Sequence, residues 1–416
     1  MTTVVIGGGI IGVTMAWFLA KDGHRVVVVE RAAETGTEAS FQNGALLAPG
    51  HSQAWASPHA PKTLIQSLFQ DDPALRFRLR TEPEFWSWGL RFLRNCTSEK
   101  YRANTLRVLR CMMYGLEQLR ALREETGIRY DGNDKGILYL FRTEQTLAAG
   151  LSAWDLLRQN GLPLETVDRA RCVEIEPALG PTREKIAGGL FGSWEGAGDA
   201  LMFTRNLAKL CEWQGVQFRM NTTAKAVLVE GDKATGVETD QGRIQADCVV
   251  LAAGLESPRL GKPIGLDLPI YPIKGYTATI DTKGRSGAPT VGIIEEDNLV
   301  AFARMGDRLR AGGKAEFAGF DRSYKPADFR GVMKVTRDLF PGGGDYDNPI
   351  HYACLRPVSP GGQPILGRAK YRNLFVNVGH GAAGWTEACG VSKAVADEIA
   401  GRKPAIDMEG LRYGDQ

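Results

Sequence analysis

The sequence predicts an α/β fold, α+β overall, in which a parallel-sheet nucleotide-binding domain is joined to a second domain of antiparallel strands and helices. Three observations predict this fold class. A strand, a glycine-rich turn and a helix open the chain, and a second such unit closes it. Between them, the region of about residues 269–317 alternates apolar and polar residues as antiparallel strands do. The two ends therefore build one sheet domain around an inserted second domain.

The first unit carries the spacing Gly7-x-Gly9-x-x-Gly12 between an apolar strand and a predicted helix that begins at Ile10. Gly7 makes the tight turn, Gly9 lets the backbone approach a pyrophosphate, and Gly12 lets the helix lie close to the strand. The amides of Ile10 and Ile11 stand at the helix N-terminus, which attracts phosphate. The unit predicts binding of a dinucleotide.

Glu30 ends the second strand, where a carboxylate accepts hydrogen bonds from ribose hydroxyls and repels a 2′-phosphate. NADP is therefore not expected, but FAD and NAD both fit the motif. The distant return of a strand (374–378), the glycine-rich turn that starts at Gly379 and a further helix favours FAD. A second helix N-terminus aimed at an isoalloxazine would stabilise the negative charge of the reduced ring.

The segments between these units predict how the rest of the chain surrounds the ligand. Residues 38–50 are rich in small side chains, which let a backbone pass close to a ligand. Residues of about 62–127 have apolar positions at three- and four-residue spacing, which predicts helices. The buried strand 246–254 ends in small residues, at the sheet edge where open α/β sheets bind ligands.

Composition limits the possible partners and location. The 416 residues include 51 Lys and Arg and 48 Asp and Glu, a net charge of +3 that argues against nucleic acid. The seven cysteines form no CxxC pair and the five histidines show no metal-ligand spacing, so we expect a reduced chain without a metal site. No apolar run is long enough to span a bilayer, and the first strand leaves no room for a signal sequence, so we expect a cytoplasmic protein.

Six motifs follow one another in a specific order along nearly the whole chain. They are Gly7-x-Gly9-x-x-Gly12 with Glu30; Ala39-Ser40-x-x-Asn43; Gly198-Asp199-x-x-x-Phe203-Thr204; Lys274-Gly275-Tyr276; Leu355-Arg356-Pro357-x-x-Pro360-x-Gly362-x-Pro364-x-x-Gly367; and Gly379-His380-Gly381-x-x-Gly384-Trp385-Thr386-x-Ala388-Cys389-Gly390. This order resembles the bacterial D-amino acid dehydrogenase (small subunit) family, which belongs to the D-amino acid oxidase-like FAD flavoproteins.

The resemblance implies an FAD-dependent D-amino acid dehydrogenase that deaminates D-amino acids to 2-oxo acids and ammonia. Hydride would pass to flavin N5, and the electrons would go to a quinone-type acceptor. The implied architecture is a glutathione-reductase-type FAD domain, residues 1–60, 195–265 and 345–416, and a substrate domain, residues 61–194 and 266–344. The arginine-rich face of the helices predicted within about residues 62–127 is interpreted first as a solvated surface, with a peripheral contact at the cytoplasmic face of the inner membrane as the alternative.

Three residues are predicted to act on the substrate. Arg356 matches the arginine that binds the substrate carboxylate in the wider superfamily, and a guanidinium offers a bidentate fork to a carboxylate. Tyr276 either caps the substrate pocket or packs in the core. His380 either assists deprotonation of the amine or bonds the flavin or a backbone carbonyl.

The residues predicted to bind FAD come from both glycine-rich turns and the segments beside them. They are Gly7, Gly9, Ile10, Ile11, Gly12, Glu30, Arg31, Ser40, Asn43, Gly44, Ala45, Leu46, Ala224, Ala253, Gly254, Gly379, His380, Gly381, Ala382, Ala383, Gly384, Trp385 and Thr386.

Two departures from the family pattern leave the substrate open. Gly44-Ala45-Leu46 stands where the family often has Ala-Gly-Gln, so a polar group is missing near the flavin. Glu387 replaces an apolar residue; it either complements the helix dipole or contacts a cationic or secondary amine. A dehydrogenase of a cyclic imino acid, such as D-proline or a hydroxyproline isomer, and an oxidase that uses oxygen remain alternatives. A flavin-binding protein without turnover and an NAD-dependent dehydrogenase remain open as well.

Overall fold

The computed structural model describes residues 1–67, 75–78 and 80–415, so the helices predicted within residues 62–127 fall partly outside the described residues. The α-helices in the described ranges are Ile10–Lys21, Ala60–Ser67, Pro83–Asn95, Ser98–Thr126, Glu144–Gln159, Arg169–Ile175, Ala200–Trp213, Ser257–Gly261, Arg330–Leu339 and Gly384–Ile399. Short 3₁₀ turns cover Pro49–His51, Pro177–Lys185, Gly254–Glu256, Lys262–Ile264 and Pro326–Phe329.

The first sheet joins the two ends of the chain. In the part of the chain that the structure describes it has six strands, in the order Ile365–Arg368, Leu374–Val378, Cys248–Leu251, Thr2–Ile6, Arg25–Val29 and Gln217–Arg219. All neighbours are parallel except the first pair. The central strands are almost continuous runs of buried Val, Ile and Leu, as expected for parallel strands covered by helices on both faces.

The second sheet is larger and mostly antiparallel. Within the described ranges its path is Ile350–Val358, Tyr271–Asp281, Arg308–Phe317, Val300–Met305, Gly292–Glu295, Ile137–Phe141, Gly188–Gly192 and Glu165–Asp168, and Leu75–Phe77 pairs with Arg308–Phe317. A meander of Ala224–Glu230, Lys233–Thr239 and Gly242–Gln245 and a two-stranded pair of Leu46–Leu47 with Gly196–Ala197 complete the strands. The predicted α/β fold with a second, largely antiparallel sheet is confirmed.

Two helices that are far apart in sequence approach each other closely. Ser98–Thr126 is capped by the side chain of Thr97, which accepts from the Lys100 amide, and it crosses the C-terminal helix Gly384–Ile399 at Gly115. A Cβ at Gly115 would lie 2.1 Å from the Thr386 carbonyl oxygen. The contact holds the second glycine-rich turn against the long helix.

The predicted domain limits stay a prediction, but the sheets show one difference from them. The strand Ile350–Val358 was predicted within the FAD domain, yet it pairs with Tyr271–Asp281 in the second sheet. Arg356 therefore stands on the second sheet and close to the first. No helix in the described residues combines the length and the apolar composition that a membrane crossing requires.

Candidate active site

A cavity of about 610 Å³ lies between the two sheets and is bordered by both glycine-rich turns. Its walls come from the carboxyl ends of the parallel strands, from the loop of residues 38–46 and from the second sheet. This is the position at which open α/β sheets bind ligands.

Glycine is required at the three positions of the first turn for different physical reasons. Gly7 has φ +115° and a Cβ there would lie 2.4 Å from the Ala252 carbonyl oxygen, while a Cβ on Gly12 would lie 1.8 Å from the Gly7 carbonyl oxygen. A Cβ on Gly9 would meet only Ser40 Oγ, at 3.6 Å. The fold itself requires Gly7 and Gly12, whereas Gly9 keeps open the space in front of a helix N-terminus.

Backbone amides hold the acidic end of the second strand in place. Glu30 Oε2 accepts from the Gly8 amide at 2.6 Å, and Oε1 accepts from the Ala32 amide at 2.8 Å. Each carboxylate oxygen keeps a further lone pair for a ligand hydroxyl. Ser40 Oγ accepts from the Ile10 amide at 3.0 Å and so caps the first helix from another segment.

The loop that leads to Leu46 is held in an unusual backbone conformation. Gln42 and Ala45 have positive φ values of 49° and 60°. Asn43 Oδ1 accepts from the Ala45 amide at 3.0 Å, and Arg310 Nη1 donates to the Asn43 carbonyl at 2.8 Å. Burial lowers the pKa of Arg310 to about 10, which leaves it charged at neutral pH. A residue of the second sheet, Arg310, therefore holds the loop that follows the second strand of the first sheet.

The second glycine-rich turn is tied to the strand that carries Arg356. The Gly381 amide donates to the Pro357 carbonyl at 2.8 Å, and His380 bridges to Val358. His380 Nδ1 lies 2.5 Å from Glu387 Oε1, and both side chains are buried. This backbone pairing brings the predicted carboxylate ligand and the predicted flavin turn to one wall.

Arg356 is half-buried and lines the cavity. Gly275, on the paired strand, leaves room for it, because a Cβ there would lie 2.4 Å from Arg356 Nη2. Nη1 makes a long, 3.4 Å contact with the Lys314 carbonyl, and the Trp55 ring lies 6.0 Å from the guanidinium carbon. Among the described residues no carboxylate forms an ion pair with it, so its charge is available to an anion.

The structure brings most of the predicted site residues together. All residues predicted to bind FAD line this cavity except Gly12, Gly379 and Ala383, which pack beside it. Arg356 and His380 line it as well. Their individual roles stay predictions.

Tyr276 and Glu387 lie outside the cavity wall. Tyr276 is fully buried in the core of the second sheet, and its hydroxyl donates to Glu316. Because side chains alternate along a strand, it is Thr277 that lines the cavity. The placement does not support the prediction that Tyr276 caps the substrate pocket. Glu387 is directed at His380, so its placement does not support a contact with a substrate amine either.

His51 is a cavity residue that the sequence reasoning missed. It lines the same cavity as Arg356, and burial, together with the Arg356 charge, lowers the pKa of its imidazole to about 4. Its Nε2 lies 3.9 Å from Glu296 Oε1, and burial raises the pKa of Glu296 to about 8. The available signal was a histidine directly after Pro49-Gly50, at the end of the small-residue loop.

The residues present fit FAD. The space in front of Gly9 is open, and Glu30 presents an acceptor at the end of the second strand. Asn377 lines the cavity, and its buried Oδ1 has no hydrogen-bond partner among the described residues. Such an orphaned acceptor is costly unless a ligand satisfies it. Both helix N-termini border the same space, so the pyrophosphate and the ring have complementary sites.

Comparisons with known proteins agree with this geometry. Residues 2–398 match the family described as DAO, FAD dependent oxidoreductase. The chain is 45% identical over 415 residues to D-amino acid dehydrogenase 2 of Mesorhizobium japonicum, with 100% of each chain covered. It is 43% identical to D-amino acid dehydrogenase of Paramagnetospirillum magneticum, with 99% of this chain and 98% of that one covered. The fold is similar to glycine oxidase from Geobacillus kaustophilus, with a TM-score of 0.75, 23% identity, and 100% and 98% coverage.

Proposed function

The chain belongs to the FAD-dependent oxidoreductase family, and from that premise we propose that it catalyses the oxidative deamination of D-amino acids to 2-oxo acids and ammonia. One observation carries the proposal: an arginine without a carboxylate partner in the described residues, Arg356, faces the cavity that the two glycine-rich turns border. The names of the full-length relatives support the D-amino acid as substrate.

FAD, when bound, supplies the hydride acceptor. Gly9, Glu30 and the N-terminus of the helix Ile10–Lys21 would hold its ADP part, and the turn from Gly379 to Gly384 with Asn377 would hold its ring. The substrate carboxylate would bind the Arg356 fork, which fixes the position of Cα relative to the ring. Every amino acid has this carboxylate, so the same fork serves substrates with different side chains.

The cavity can exclude water around the reacting atoms. Apolar side chains from both sheets and from the helical segments contribute to its wall, among them Met112, Phe92, Phe317 and Leu355. In such surroundings the charge of Arg356 acts on a bound carboxylate more strongly than it would in water. Binding in a fixed orientation is therefore the main contribution that we assign to the protein.

We further propose that the electrons pass to a quinone-type acceptor at a membrane surface. The helix Pro83–Asn95 buries Phe85, Trp88 and Phe92 but exposes Trp86, Leu90 and Leu93 by 51%, 57% and 49%. The exposed residues repeat at helical spacing and form one apolar stripe, and large exposed stripes of this kind fit a lipid surface. Serine substitution of all three should abolish sedimentation with anionic vesicles and slow reduction of a vesicle-bound quinone, but not of a water-soluble dye.

An anaerobic screen tests the proposed reaction directly. The purified holoenzyme is mixed with each D- and L-amino acid, and bleaching of the flavin absorbance is followed. We expect rapid bleaching by several D-amino acids, slow bleaching by their L-enantiomers, and recovery of the corresponding 2-oxo acid and ammonia. Bleaching by L-amino acids alone, or by cyclic imino acids alone, would contradict the proposal.

A further inference from the structure

His51 stands at a fixed position on the cavity wall. It is the last residue of the 3₁₀ turn Pro49–His51. The residue is surrounded by protein, but 39% of its side-chain surface is accessible because the side chain faces the cavity. The turn is held from below, since the Gly50 amide donates to Glu195 Oε1 at 2.5 Å. A Cβ on Gly50 would lie 2.5 Å from the Tyr139 hydroxyl oxygen. The turn therefore packs closely against Tyr139 and Glu195, whose side chains are buried and hydrogen-bonded to each other.

A buried acid, Glu296, lies close to the imidazole of His51. Glu296 Oε1 is 3.9 Å from His51 Nε2, and the Glu296 side chain is only 8% exposed. Glu296 Oε1 has no hydrogen-bond partner among the described residues. A buried carboxylate oxygen without a partner is unfavourable, and a proton arriving on it removes the buried charge.

The proposed reaction needs a proton acceptor in this cavity. An amino acid carries an ammonium group at neutral pH, and the nitrogen must be a neutral amine before its lone pair can form the imine. The substrate carboxylate would be held by Arg356, whose charge acts on His51 across the cavity. The amino group and the carboxylate are attached to the same Cα, so a substrate bound to Arg356 places its amino group in the part of the cavity that Arg356 and His51 both line.

We propose that His51 and Glu296 form a proton relay that removes one proton from the substrate ammonium group. An N–H bond of the ammonium breaks and an N–H bond forms at His51 Nδ1. The proton on Nε2 passes to Oε1 of ionised Glu296 once substrate binding has shortened the 3.9 Å between these two atoms to a hydrogen bond. The ammonium and the carboxylate become an amine and a carboxylic acid, so atoms and charge balance. The relay rests on the proposed function.

The charged groups around the relay favour this direction. Arg356 faces His51, and burial with that charge lowers the pKa of the imidazole to about 4, so His51 passes a proton on instead of keeping it. Glu296 is next to Glu295 and Asp297, and it interacts electrostatically with Tyr139 on the neighbouring strand. Burial and these acids raise the pKa of Glu296 to about 8, which makes its carboxylate a stronger base, and the fraction that can accept a proton grows as the pH rises towards 8 and above.

The test is anaerobic flavin reduction by a D-amino acid from about pH 6 to about pH 10, a range that spans the ordinary pKa of amino groups. Glu296→Gln should reduce the rate constant by about 100-fold near pH 8, where a large share of wild-type Glu296 is ionised; this is the size of a lost general base. The deficit should shrink towards about pH 10, where the substrate already arrives as a neutral amine. His51→Asn should behave in the same way, because it breaks the same relay.

Glu195→Gln is the matched control, an equally buried acid below the same turn but outside the relay, and it should keep the wild-type pH profile. Binding of propionate, followed by the flavin spectrum, should be unchanged in Glu296→Gln, because propionate has no ammonium group and its carboxylate is assigned to Arg356. A pH profile in Glu296→Gln that matches wild type, or a deficit that is the same at every pH, overturns the relay. A rate deficit that shrinks at high pH in His380→Asn but is absent in His51→Asn also overturns it. Wild-type flavin that no amino acid reduces overturns the proposed function itself, and the relay with it.

Discussion

His380 Nδ1 and Glu387 Oε1 lie 2.5 Å apart at the start of the C-terminal helix, and the two side chains are only 6% and 0% exposed. The pair fixes the imidazole in the turn that is expected to hold the flavin ring. It also gives Glu387 a structural partner, so that the departure from the family pattern at this position no longer needs a substrate amine to explain it.

Glu387→Leu should lower the free energy of unfolding by about 1–3 kcal/mol, because it leaves a buried imidazole nitrogen without its partner. Glu387→Gln keeps an acceptor oxygen and should lose less. Urea denaturation of the FAD-free protein measures both variants without a contribution from cofactor binding. Equal stability of wild type and Glu387→Leu would show that the pair contributes nothing to the fold.

Two glycines of the first turn should separate folding from FAD binding. Gly12→Ala should destabilise the FAD-free protein by several kcal/mol, since its Cβ would lie 1.8 Å from a backbone oxygen. Gly9→Ala should leave that stability near wild type, because its Cβ would meet only Ser40 Oγ at 3.6 Å, yet weaken FAD binding. Urea denaturation and a fluorescence titration with FAD give the two values. If Gly9→Ala binds FAD with wild-type affinity, the pyrophosphate does not lie against Gly9.

Stability should depend on pH through Glu195. Burial raises its folded pKa from 4.5 to about 8, so the folded protein holds a proton that the unfolded chain has released. Between those two pH values the free energy of unfolding therefore falls as pH rises, by about 1.4 kcal/mol per pH unit for this one group. Glu195→Gln should remove that part of the slope. Denaturation curves at several pH values between 5 and 8 measure it, and an unchanged slope would mean that Glu195 is ionised in the folded state.

The parts of the fold that could be predicted from the sequence are those determined by residues close together in the chain. Gly7, Gly12 and Glu30 lie within one βαβ unit, where spacing alone determines which groups meet. Tyr276 shows the limit of such reasoning. Which face of its strand points to the cavity depends on pairing with a strand some 35 residues away, and the register shifts between Gly275 and Tyr276.

Long-range packing hides the remaining site residues from the sequence. His51 and Glu296 are 245 positions apart and belong to no shared motif, so only the fold brings them to 3.9 Å. Ser40 caps a helix 30 residues before it, through a contact that no local capping pattern announces. Such residues become visible only when burial and distance are known together.

The central claim is that Arg356 binds the substrate carboxylate, and one comparison tests it most directly: kcat/KM and flavin content of Arg356→Leu and Arg356→Lys with a D-amino acid. Losing the charged fork removes roughly 3–6 kcal/mol, so Arg356→Leu should lose about a thousandfold in kcat/KM while its FAD content stays near wild type. Arg356→Lys should recover only part of this, because an ammonium cannot reproduce the bidentate geometry. Near-wild-type kcat/KM in Arg356→Leu with full flavin would contradict the claim. Loss of the flavin itself would instead assign Arg356 to holding the cofactor turn in place.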